Sequence, residues 1–116
     1  MTNSDNPSFH RTVAEELTAR YGGSERAPQG WRETQTWHWE QAGAFAEAAD
    51  SALDVAEQRV TRMDFVGARQ WAERALALIE RLPLEQQRAY EMRAYTLTLA
   101  VLEFGGQFRE GLEYAR

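Results

Sequence analysis

Residues 64–83 read DFVGARQWAERALALIERLP, and this stretch decides the fold. Asp64 is a strong helix N-cap type, because its carboxylate can accept a first-turn backbone N–H. Pro83 closes the segment, since proline cannot continue a helix. Between them Phe65, Ala68, Trp71, Ala72, Ala75, Leu76 and Ile79 recur at helical spacing and predict one buried face. The expectation is a helix capped by Asp64 and lasting to about Leu82.

The turn that opens this segment recurs. Met63-Asp64-Phe65-Val66-Gly67-Ala68 matches Gly43-Ala44-Phe45-Ala46-Glu47-Ala48 and Gly106-Gln107-Phe108-Arg109-Glu110-Gly111. Each has a small or flexible residue, one spacer, Phe, two residues and a small residue. A short turn reverses the chain, the aromatic wedges between two helices, and the small residue lets them approach. Working outward, a helix is expected from an N-cap at Ser8 to Tyr21, its apolar face being Phe9, Val13, Leu17 and Tyr21. Gly22-Gly23 stops it, and 24–30 is a loop. A second helix spans Trp31 to Ala42. A third spans Phe45 to Arg62, with Phe45, Ala48, Ala49, Ala52, Val55, Ala56 and Val60 inward. A fifth runs from Leu84 to Phe104, apolar around Tyr95, Leu97, Leu99, Val101 and Leu102; Gly105-Gly106 ends it, and Phe108 to Arg116 opens a sixth. Residues 1–7 read as a polar tail and 8–116 as one all-α domain. No segment alternates with period two, so no sheet is expected.

Composition limits the chemistry. The 116 residues are 43% apolar and 27% charged, with a net charge of −5. That suits one globular domain and argues against direct nucleic-acid binding, which wants a basic patch. There is no cysteine, and all 13 basic residues are arginine. Thiolate metal sites, thiol nucleophiles, Schiff-base lysines and phosphate-loop lysines are therefore excluded. No apolar run is long enough for a membrane span and no signal-peptide pattern opens the chain, so a cytoplasmic protein is expected. His38 and Glu40, two apart on a helix, point to different faces and do not suggest a metal site. Adjacent acids such as Glu15 and Glu16 diverge, and no nucleophile has a base beside it. Neither catalysis, cofactor nor metal is expected. Trp37 and Trp39 cannot share one core face, so Trp39 or Trp31 is the better interface candidate.

Residues 64–83 resemble the second helix of a tetratricopeptide repeat, Asp-Phe-x-x-Ala-x-x-x-Ala-x-x-Ala-Leu followed by proline. Met92 to Arg116 resembles a truncated second copy, with Tyr95, Leu99 and Leu102 at first-helix packing positions. Phe9 to Leu17, Trp37 to Gly43, Ala48-Ala49 and Ala72 to Pro83 together look like the region after the nucleotide-binding core of bacterial MalT-like or AfsR-like signal-transducing ATPases. The resemblance implies a TPR-like α-α superhelix of about six antiparallel helices. It also implies a sensor or scaffold in signal transduction and transcription regulation, with a protein or peptide as partner. In such repeats the first helix of each pair lines a groove, which here would expose Asp50, Glu57, Arg93, Thr96 and Glu103. Terminal repeats need a polar cap. The apolar face begun by Phe108, Leu112 and Tyr114 is thus expected to be covered, either by further chain or by a second protomer. The second case makes the alternative reading a stand-alone homodimeric adaptor.

Overall fold

The computed structural model describes residues 6–25 and 27–115, with side-chain surroundings up to residue 103. Five helices follow one another: α1 (Pro7–Tyr21), α2 (Trp31–Gln41), α3 (Phe45–Thr61), α4 (Phe65–Ile79) and α5 (Leu84–Ala115). No strand occurs among the described residues. Each helix packs mainly on the next, and α3 also reaches α5.

The two turns flanking α3 explain the repeated motif. At the end of α2 the Ala44 N–H donates to the Trp39 carbonyl at 2.9 Å and the Gly43 N–H to Glu40 at 3.0 Å. At the end of α3 the Asp64 N–H donates to Arg59 at 2.8 Å and the Met63 N–H to Val60 at 2.9 Å. Both are Schellman closures, in which a left-handed residue satisfies the last helical carbonyls. That residue is Gly43 at φ 73° in one and Met63 at φ 63° in the other. A side chain in this region is opposed by its own Cβ. Met63→Gly is therefore expected to raise stability by about 0.5–1 kcal/mol, and Gly43→Ala to lower it by a similar amount. Thermal melts of the two variants should shift in opposite directions.

Asp64 then caps α4: its Oδ1 accepts the Gly67 N–H at 2.9 Å, and Arg59 bridges its other oxygen at 2.9 Å. These bonds hold the Asp64 carboxyl below its usual range, the Gly67 backbone contributing most. A Cβ at Gly67 would press on that carboxylate and require it to shift.

Helix α3 is the centre of the molecule. Ala48, Ala49, Ser51, Ala52, Leu53, Val55 and Ala56 are all buried, because α2, α4 and α5 lie around it. Its alanines let the neighbours approach closely. Against them pack Trp39, Ala72, Ala75, Leu78, Ile79, Ala94 and Leu97.

Several expectations change. α1 starts at Pro7, with Asn6 rather than Ser8 as N-cap; Asn6 Oδ1 accepts the Ser8 N–H at 2.8 Å. Proline suits the first helical position because its missing N–H would have had no partner. The seam of α1 is His10 and Ala14, while Phe9 is exposed. In α4, Leu78 is buried and Leu76 is exposed. Helix α5 continues through Gly105 and Gly106, so the break before Phe108 and the sixth helix do not occur. Glycine weakens a helix by about 1 kcal/mol without forbidding it. The two turns that do share this motif close through a left-handed residue, Gly43 or Met63. The side chains of Phe108, Leu112 and Tyr114 lie outside the described residues.

Candidate functional site

Three carboxylates of α3 stand at the spacing of one helix face: Asp50, Asp54 and Glu57. Arg93 of α5 reaches all three. Its Nε donates to Glu57 Oε1 at 2.6 Å, its Nη1 lies 3.5 Å from Asp50 Oδ1, and its Nη2 donates to Asp54. Arg32 of α2 takes the other oxygen of Asp54, its Nε at 3.0 Å. The Tyr90 hydroxyl donates to Asp50 Oδ2 at 3.3 Å. The cluster thus ties α2, α3 and α5 together, and its three carboxylates face two guanidiniums, leaving one negative charge in excess.

The electrostatics follow from the geometry. Hydrogen bonding to Glu57 holds Arg93 in its charged form far above the ordinary range, against the effect of burial. Burial pushes the Asp50 carboxyl up, and Arg93 and the Tyr90 hydroxyl pull it partly back. Burial also raises the Tyr90 phenol, and the Asp50 charge adds to it. Beside this cluster lies a hollow of about 320 Å³ lined by Glu57, Val60, Arg93, Thr96, Leu97 and Ala100. It has an apolar floor and a charged rim.

Of the expected groove residues, the structure brings Asp50, Glu57, Arg93 and Thr96 to this place. Glu103 is exposed and does not line the hollow. The charges are mutually engaged rather than free. Asp54, Arg32 and Tyr90 belong to the cluster as well. The four-residue step from Asp50 to Asp54 was a readable signal for the first of them; Arg32 and Tyr90 come from other helices and left none.

The interface aromatics are also redistributed. Trp39 is buried in the core with Arg11 over its ring at 5.7 Å, so it is not an interface residue. Trp37 is the exposed one. Helix α2 turns Gln35 and Trp39 inward together, one turn apart, which leaves Trp37 outside. Trp31 is half-buried against Tyr21 at 6.1 Å and borders a second hollow of about 470 Å³ that also takes in Glu33, Gln58 and Arg62.

The two histidines meet between α1 and α2. His10 Nδ1 lies 2.9 Å from His38 Nδ1, with Trp37 edge-on to the His10 ring. A hydrogen bond here needs one protonated and one free nitrogen, so two imidazolium rings would oppose N–H to N–H. Burial lowers the His38 pKa, and the nearness of His10 lowers it further. A depressed value means that the folded state takes up this proton less readily than the unfolded chain. The contribution is therefore complete above the unfolded value of 6.5 and is lost as pH falls through the lower folded one. Urea midpoints are expected to drop between about pH 7.5 and about pH 5.5, and His38→Gln should reduce that slope. Among the described residues no group of three or more possible ligands could hold a metal ion, and no helix is long and apolar enough to cross a membrane.

Comparison with protein-family models, curated proteins and solved structures finds no match to this chain.

Proposed function

We propose that this chain is a non-catalytic protein-interaction module, a TPR-like superhelical scaffold that binds a peptide in the hollow between α3 and α5. The observation that carries the reading is the placement of Arg93. Its bonds to Asp50, Asp54 and Glu57 fix a charged rim beside the apolar floor of Val60, Leu97 and Ala100. Such a site, mainly apolar with a few oriented polar groups, suits an apolar side chain flanked by a polar one. The excess negative charge of the rim favours arginine or lysine in the flanking position. The repeated turns around α3 and the resemblance of Ala72 to Pro83 to bacterial MalT-like and AfsR-like regulators support a role as the sensor arm of a cytoplasmic signal-transduction or transcription regulator.

The reading is tested by panning a random peptide library against the chain and measuring the enriched peptides by calorimetry. Peptides pairing an apolar with a basic residue, losing affinity at least about tenfold on Ala100→Arg with an unchanged circular dichroism spectrum, are the expected result. Failure to enrich any peptide, or binding indifferent to Ala100→Arg, refutes it. The alternative, a homodimeric adaptor, has its own observation on other side chains of α5.

A further inference from the structure

Helix α5 is apolar on two opposite faces. Ala94, Leu97 and Val101 are buried against the body of the molecule. On the other side Met92, Tyr95, Leu99 and Leu102 are each more than 60% exposed (76%, 64%, 62% and 61%). A helix with a second apolar stripe has a second face to bury. The spacing of the exposed four is three, four and three residues, the a/d pattern with which one helix seats its side chains between those of another. No described segment of the chain lies over them, and a contiguous exposed apolar stripe of this kind marks an interaction surface.

We infer that this stripe is a self-association surface, on which α5 of a second copy packs antiparallel about a twofold axis between Tyr95 and Leu99. The charges beside the stripe select this occupant and this direction. In an antiparallel pair the layers run Met92 to Leu102 of the other copy and Tyr95 to Leu99 of the other copy. The positions flanking the centre are Thr96 and Thr98, so no like charges meet at the axis. At each end Arg88, exposed and in line with the stripe, comes beside the exposed Glu103 of the other copy. A parallel pair would set Glu91 beside Thr96 and Thr98 beside Glu103, with no complementary charges. Self-complementarity of one patch is what a twofold interface requires. The stripe residues Met92, Tyr95, Leu99 and Leu102 do not line the peptide hollow, and only Thr96 borders both surfaces. Leu99→Glu therefore tests self-association and Ala100→Arg tests peptide binding through different side chains.

The test is light scattering on the full chain across a concentration series. The expected mass is twice that of the monomer. Leu99→Glu should return the monomer mass with an unchanged far-ultraviolet spectrum, weakening association at least about tenfold. Arg88→Glu should weaken it more mildly, and adding Glu103→Arg should restore it. The absence of cysteine permits a direct reading of orientation. Met92→Cys mixed with Leu102→Cys should form the mixed disulfide far more readily than either alone forms its own. A monomer at every concentration overturns the inference, as does a dimer indifferent to Leu99→Glu. Preferential self-pairing of each single-cysteine variant also overturns it, since that is the mark of a parallel pair.

Discussion

Leu53→Ala is expected to lower the unfolding free energy by about 2–5 kcal/mol, toward the upper end of that range. Leu53 is fully buried and, among the described residues, is the largest side chain enclosed so completely. The size of the loss depends on how far the walls can close over the cavity. Here much of the surrounding core is alanine: Ala48, Ala49, Ala52 and Ala56 on α3, Ala72 and Ala75 on α4. Alanine has no rotamer with which to fill space, and α3 cannot shift without dragging helices on several sides. The cavity therefore stays open. Urea unfolding should show a lower midpoint at an unchanged slope. Val66→Ala, at an exposed position, should stay within about 0.5 kcal/mol and serves as the control.

Gln35→Leu is expected to cost about 2–4 kcal/mol although it preserves most of the volume. Gln35 has no exposed surface. Its Nε2 donates to the Ala14 carbonyl at 2.8 Å and to the Thr18 hydroxyl, while its Oε1 accepts from Ser51 at 3.2 Å and from Arg32. One side chain thus joins α1, α2 and α3. Leucine would remove every one of these bonds and leave the enclosed Ser51 hydroxyl without its acceptor. The loss should concentrate on α1, which packs mainly on α2. Amide exchange should accelerate through α1 well before it does in α4. Uniform acceleration would show that Gln35 supports the whole core equally.

How much of this was legible depended on whether the deciding partner was near in sequence. The helices of 45–61 and 65–79 were readable because their signals are local: an alanine-rich face, the Asp64 cap, Phe45 and Phe65 after short turns. The register of α1 was not. Phe9, Val13, Leu17 and Tyr21 form the better apolar pattern, yet the seam is His10 and Ala14, because His38 and Gln35 satisfy polar groups there. The same blindness misplaced Trp39, whose inward companion one turn away is polar Gln35. Gly105-Gly106 looked like the third copy of a turn. The two true turns also close through specific backbone bonds at Gly43 and Met63, and composition alone does not reveal those. In the candidate site, Asp50, Glu57, Arg93, Thr96 and Glu103 were named from the repeat resemblance, which sets the first helix of each pair along a groove. The first four lie together between α3 and α5, while Glu103 does not. That Arg93 is held by the acids, rather than left free for a ligand, needed the third dimension.

The serial packing of the helices also sets an order in time. The α2–α3 and α3–α4 turns are both only three residues long, Ala42 to Ala44 and Arg62 to Asp64. Helix α3 packs more extensively on α4 than on α2, so the α3–α4 hairpin gains most from its short search. It should be the first unit to form from the unfolded chain and the last to open. Helix α1, bound chiefly through α2, should detach and return many times during one lifetime of the centre. Deuterium uptake should therefore spread inward from α1 toward α3 in successive steps. A protease supplied at low concentration should clip the 22–30 loop long before it cuts at Met63.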